Sequence, residues 1–237
     1  MAVAAKRLIA SDEATRKKRA AGSQGDLRGG PLNLRSARLS SIQVETFLDL
    51  AIQEMASLRA GTDVDDIERA ADLIVDSERR GGRVHVTGVG KSEYLARYFA
   101  SLLSSTGTPA YFLHATECVH GSAGQVCNED IAIVISNSGA TPEILSALSA
   151  LRSLGNAIIG ISSNRTSPLA QKVDLLLYAG ASREDCLLNL APRASVLAKT
   201  YILCALSVSL EARKGLTREQ YARWHPAGAL GRQSRGD

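Results

Sequence analysis

Five short apolar runs, each leading toward small or polar residues, constrain the fold of this chain more than anything else in it. They are RVHVTG (83–88), PAYFLH (109–114), DIAIVIS (130–136), AIIGIS (157–162) and DLLLYA (174–179). Each is near-continuously apolar rather than alternating. Such a strand is buried on both faces, as in a parallel sheet covered by helices. Helical patterns lie between most of them, so the expected class is α/β: a doubly wound, five-stranded parallel sheet flanked by helices, flavodoxin-like. Two helices precede the first strand, at about 40–59 and 64–80, with Asp63 a candidate cap. A long apolar helix from about Ala194 to Arg213 follows the fifth strand. At 45% hydrophobic residues the chain buries a sizeable core. No continuous apolar run approaches membrane-spanning length.

The net charge of +4 divides unevenly. Residues 1–38 hold nine Lys or Arg against three Asp or Glu; the rest of the chain is slightly acidic. That first segment has no apolar period and is expected to be a disordered basic tail, with a single domain over 39–237. No aromatic-basic interleaving points to nucleic acid, so neither nucleic acid nor membrane is an expected partner. Cys118, Cys127, Cys186 and Cys204 show no paired spacing, and the N-terminus has no signal-peptide pattern. Free thiols in the cytoplasm are the expectation.

Two strand ends carry the chemistry. The first strand breaks into Gly88-Val89-Gly90-Lys91-Ser92 and restarts as a helix near Ser92. A nucleotide P-loop would need glycine where His85 stands, and a dinucleotide fingerprint would need it where Glu93 stands. The third strand ends in Ser136, Asn137, Ser138, Gly139, Ala140, Thr141 and Pro142. Thr141-Pro142 reads as N-cap and first helical residue. A cap requires one hydroxyl, and three are present. Both turns deliver unpaired N–H groups at a helix start, which suits a compact phosphate. If the two strands are neighbours, both loops face one crevice. The acid–base candidates also follow strand ends. His114, Glu117 and His120 follow the second strand, Glu184 the fifth, and Lys91 and Glu143 sit in the phosphate loops. His225 lies in a glycine-rich terminal segment. The spacing of His114, Cys118 and His120 matches no structural zinc pattern, so no metal is expected.

Together GVGKS, SSTGTPAYFLHATECVHG, ISNSGATPE, CLLNLAPRAS and HPAGALGR resemble a sugar isomerase (SIS) domain, in particular its arabinose-5-phosphate isomerase branch. The resemblance runs over about residues 40 to 233. It implies a homotetramer, no cofactor and a phosphosugar substrate. It also implies catalytic roles for Lys91, Glu143, Glu184 and His225. Gly107, Thr108, His114 and His120 fall on substrate-contacting positions, beside Gly90, Ser92, Ser136, Asn137, Ser138 and Thr141 in the phosphate loops. Ser122, Ala140, Leu187, Asn189 and Arg193 depart from the pattern and put the exact sugar in doubt. Many relatives continue into paired regulatory (CBS) domains, and the expectation here is a catalytic core without them. The implied reaction is aldose–ketose isomerisation through an enediol, most directly of D-arabinose 5-phosphate and D-ribulose 5-phosphate. His225 or His120 opens the ring, Glu184 or Glu143 moves the proton, and Lys91 stabilises charge on oxygen. The alternatives are an isomerase of another sugar phosphate or a phosphosugar sensor. Two carboxylates beside a phosphate argue against the sensor.

Overall fold

The computed structural model describes residues 31–184, 188–227 and 229–235. The expected tail as far as residue 30, together with Cys186 and Leu187, lies outside them. The described residues divide into two compact units, the second beginning at Glu45. Helix α1, Pro31–Ala60, begins nine residues before the expected start, with a proline as its first residue. Proline is favoured there because its missing N–H would have no intrahelical partner. Helix α2 spans Val64–Arg79 and buries Ile67, Ala70, Ala71 and Ile74. Asp63 caps it as expected, accepting from Asp65 N at 2.9 Å.

The five expected strands form one parallel sheet. They are β1 (Val84–Gly88), β2 (Ala110–Phe112), β3 (Ile131–Ile135), β4 (Ala157–Ser162) and β5 (Leu175–Tyr178), in the order β2-β1-β3-β4-β5. Alternate side chains of β3 serve two cores. Ile131, Ile133 and Ile135 meet α2, α3 (Lys91–Ser105) and α6 (Ala194–Lys214) on one face. Ala132 and Val134 meet α4 (Ala115–Cys118) and α5 (Pro142–Ser153) on the other. The period of two along a strand makes this division, so every apolar residue of the run has a partner. The inward stripe of α3 is Leu95, Ala96, Phe99, Ala100 and Leu103. Tyr98, beside that stripe, is half exposed.

Helix α6 is long and apolar enough to cross a membrane by length and composition. Its Ala198, Ile202, Leu203, Leu206 and Leu210 are instead buried in the core. It runs from the carboxyl ends of the strands to their amino ends. Lys199 near its start reaches Asn137 just after β3, and Lys214 at its end reaches Gly107 and Thr108 just before β2. Fifteen residues at about 1.5 Å each separate these two lysines by about 22 Å. Two further helices, α7 (Arg218–Trp224) and α8 (Ala229–Arg235), occupy the glycine-rich terminal segment, for which no helix was expected. The missed signal is a capping box: Thr217 Oγ1 accepts from Gln220 N at 3.2 Å, and Gln220 Oε1 accepts from Thr217 N at 2.9 Å.

Candidate active site

Strand order reverses between β1 and β3, which pair directly from Val84↔Ile131 to Gly88↔Ile135. Such a switch point leaves a crevice at the carboxyl ends of the strands. The two loops expected to share a crevice therefore do so. At β1 the chain turns tightly. A Cβ on Gly88 would lie 2.6 Å from Ser92 O, and Gly90 has φ 61°, so both positions need glycine. Helix α3 then opens at Lys91, one residue earlier than expected, with Lys91 exposed and Ser92 half-buried. Glu93 in the same turn is held by Arg97 at 2.8 Å and lies 4.0 Å from His114 Nε2. His114 is the N-cap of α4: its Nδ1 is 2.8 Å from Thr116 Oγ1 and accepts from Glu117 N at 3.4 Å. His120, exposed, follows the same short helix. His114 and His120 thus lie at the loop end of the sheet, as expected.

The loop after β3 is braced from below. Asn137 O accepts from Ser162 Oγ at 3.0 Å, Ser163 Oγ at 2.7 Å and Ser163 N at 3.1 Å. Ser136 Oγ accepts from Gly139 N at 3.1 Å and is 3.5 Å from Thr141 Oγ1. Ser138 Oγ accepts from Ala140 N at 3.3 Å. Gly139 has φ 65°, and a Cβ there would collide with Ser167. Thr141 stands at the N-cap position with Pro142 behind it, but its side chain caps no helix N–H. The expected position is correct and the expected bond is absent. Its hydroxyl therefore faces Ser136 rather than the helix. Asn137, Ser138 and Glu143 are exposed, while Ser136 is buried.

Glu184 is placed by its own hydrogen bonds. Its carboxylate Oε2 accepts from Arg193 N at 2.6 Å and from Ser195 N at 3.2 Å, at the start of α6. A carboxylate there complements the helix dipole. Its backbone N–H donates to Asn189 Oδ1 at 2.6 Å. Asn189 has φ 50°, the left-handed region that asparagine tolerates better than most residues. This is one of the departures from the family pattern, and it holds the Glu184 loop. Ser182 anchors the same loop to α1 through Glu54, its N–H donating to Glu54 Oε2 at 2.7 Å.

A residue the sequence reading passed over lies beneath the β3 loop, beside the start of α6. Lys199 is 2% exposed. Its Nζ donates to Asn137 Oδ1 at 2.5 Å and to Ser195 O at 2.9 Å. Burial pushes its pKa down to about 8, partly offset by the Glu184 carboxylate. The signal was a lone lysine in an apolar helix, VLAKTYILCAL. It follows that protonated Lys199 weakens the fold below pH 8. The cost is relieved as pH rises from about 8 to the unfolded value of 10.5, since the unfolded chain binds the extra proton there. The difference is on the order of 3 kcal/mol. Lys199→Met is therefore expected to melt at a higher temperature than the parent at pH 7. The gap should shrink between pH 8 and 10.5, which paired thermal melts check; a gap independent of pH would contradict it.

Gly107, Thr108 and His225 are not brought to this crevice. Gly107 and Thr108 precede β2, at the amino ends of the strands. Gly107 has φ 87°, and the Trp224 ring packs against it so closely that a Cβ there would collide with the indole. Lys214 Nζ donates to Gly107 O at 3.1 Å and to Thr108 Oγ1. His225, next to Trp224, stacks on Tyr221 with ring centroids 3.9 Å apart, its Nδ1 2.8 Å from Tyr221 O. Within one chain the expected site is split between opposite ends of the sheet. Among the described residues no three His, Cys, Asp or Glu converge as a metal-ligand set.

Residues 79–210 match the model of the SIS domain. Arabinose 5-phosphate isomerase KdsD of Pseudomonas aeruginosa is 39% identical over 71% of this chain and 51% of that protein. The protein of the same name from Francisella tularensis is 38% identical over 80% of this chain and 58% of its own length. The chain thus spans about half the length of these curated relatives. An E. coli CFT073 protein solved in complex with A5P superposes with a TM-score of 0.71 at 31% identity, covering 84% of this chain and all of that one.

Proposed function

The chain belongs to the SIS domain family, and on that premise we propose that it is an aldose–ketose isomerase of a phosphosugar. The reading that fits best is interconversion of D-arabinose 5-phosphate and D-ribulose 5-phosphate. The observation that carries it is the switch-point crevice between β1 and β3. Two helix starts, with Ser92, Ser136, Ser138 and Thr141, face it, and a carboxylate, Glu184, is fixed near the β3 loop. The names of the relatives and the A5P complex of the E. coli protein support this substrate.

In this proposal the phosphate sits on the loops at Gly90–Ser92 and Ser136–Thr141. A carboxylate, Glu184 or Glu143, removes the C2 proton of the open-chain aldose. The electrons form the C1–C2 double bond of an enediol while the C1 carbonyl pair moves to O1, which takes a proton. Loss of the O2 proton then forms the C2 ketone as the enediol double bond breaks and its electron pair takes the returned proton at C1. Lys91 stabilises negative charge developing on the sugar oxygens. His120 or His225 assists ring opening. Acid–base groups suffice for every step. The protein is therefore expected to exchange deuterium from D2O into the sugar at undiminished rate after exhaustive chelation. Loss of exchange that one added metal restores would contradict it.

Ser138→Ala tests the phosphate loop. Ser138 is exposed at the crevice and its bond is retained from ground state to transition state. Removing one hydrogen bond to a charged group costs roughly 1.5–3 kcal/mol, so KM should rise about ten- to a hundredfold with kcat little changed. An unchanged KM would remove Ser138 from the phosphate site.

The proposed assembly is a homotetramer in the cytoplasm. The split site supports it, because His225 lies at the far end of the sheet from the crevice of its own chain. Leu48, Ile52, Tyr201 and Val208, each 39% to 69% exposed, support a covered apolar surface. The free thiols of Cys118, Cys127 and Cys204 suit a reducing compartment.

A further inference from the structure

Lys199 is a buried cation with no carboxylate within ion-pair distance among the described residues. An ammonium removed from water is costly unless a charge or several hydrogen bonds compensate it. The two acceptors present are neutral, Asn137 Oδ1 and Ser195 O. Glu184, the carboxylate that acts on it, does so from a distance and is already bonded to Arg193 N and Ser195 N. Among the described residues the ammonium therefore has no anion bonded to it, and it lies beneath the exposed Asn137.

The bond to Asn137 carries directional information. An ammonium has donors only, so the atom of Asn137 that faces it must be the amide oxygen. The amide NH2 is then turned away from Lys199, as a donor pair. It belongs to the same loop whose Ser136, Ser138 and Thr141 hydroxyls lie at the crevice. Asn137 is fixed at both ends, its backbone oxygen by Ser162 and Ser163 and its side-chain oxygen by Lys199.

We propose that Lys199 is a positioning residue for phosphate, holding Asn137 so that its amide donates to the bound dianion and supplying from below the positive charge that the dianion balances. This rests on the reading of the β3 loop as a phosphate site. It deepens that reading by assigning the charge of the site to a residue of α6 rather than to either loop. It also fits the absence of a carboxylate bonded to Lys199 among the described residues, since a permanent partner would compete with the substrate. The ammonium further lies where it tempers repulsion between the phosphate and Glu184.

The test uses inorganic sulfate, a dianion of fixed charge, titrated calorimetrically into the parent protein, Lys199→Met and Lys199→Gln, with steady-state kinetics on arabinose 5-phosphate alongside. Both variants are expected to melt cooperatively. The sulfate Kd and the substrate KM should rise together, about ten- to a hundredfold, with kcat within about threefold of the parent. Sulfate affinity unchanged in the variants would overturn the proposal and leave the phosphate reading standing. A parent protein that binds neither sulfate nor inorganic phosphate would overturn the phosphate reading and this inference with it. Loss of the cooperative melt in both variants would also overturn it, since the ammonium would then hold the fold rather than wait for a ligand.

Discussion

Glu184→Gln should lower kcat about a hundredfold or more while KM stays within a few-fold. The substitution keeps the volume and one acceptor oxygen, so Arg193 N and Ser195 N retain a partner and the start of α6 stays capped. What is lost is the capacity to take and return a proton, and general acid–base catalysis contributes about a hundred- to ten-thousandfold. In the proposed site substrate binding belongs to the loops after β1 and β3, which the substitution does not touch. Steady-state kinetics on the purified variant decides the matter. A normal kcat would remove Glu184 from the mechanism and pass the role to Glu143. A rise in KM alone would make Glu184 a binding residue.

His225→Asn should show a comparable fall in kcat, and the pair of variants gives a sharper result together. In one chain His225 lies beside Trp224 at Gly107, before β2, whereas Glu184 lies beyond the end of β5. Helix α6 sets the separation at about 22 Å between its two functional ends. If both residues serve one reaction, they come from different copies. Chains carrying Glu184→Gln and chains carrying His225→Asn, each inactive alone, should then regain activity when co-assembled. With random pairing of equal amounts, about a quarter of sites take an intact Glu184 from one copy and an intact His225 from the other. Co-expression with two affinity tags, followed by assay of the doubly tagged species, reads this directly. No recovery in a verified mixed assembly would mean that the two residues do not meet across copies.

Much of this is legible in the amino-acid sequence. Near-continuous apolar runs such as DIAIVIS have one stable use, a strand covered on both faces, and all five became neighbours in a parallel sheet. The glycine turn at Gly88–Gly90 was legible because the backbone conformation there excludes other residues. Other features depend on what lies far away in sequence. The burial of Lys199 is set by packing against Asn137, 62 positions earlier, and a lysine in a helix is ordinarily read as solvated. The N-cap position of Thr141 followed from Pro142, but the direction of its hydroxyl depends on Ser136 across the turn. The splitting of Gly107 and Thr108 from the other candidates follows from chain order, since both precede the β2 run and so lie at the amino ends of the strands; the place of His225 beside them depends on Trp224 packing against Gly107, more than a hundred positions away. Helices α7 and α8 were missed because glycines in the last segment outweighed the Thr217–Gln220 capping box.

The central claim is that this crevice interconverts an aldose and a ketose phosphate. It is tested most directly by incubating the purified protein with pentose, hexose and heptose phosphates and following carbonyl migration between C1 and C2 by NMR. The account predicts that arabinose 5-phosphate and ribulose 5-phosphate approach the same equilibrium mixture from either side, at a rate well above the other sugars and abolished in Glu184→Gln. Tight binding of a phosphosugar with no interconversion of any member of the panel would contradict it, and would make the chain a sensor instead.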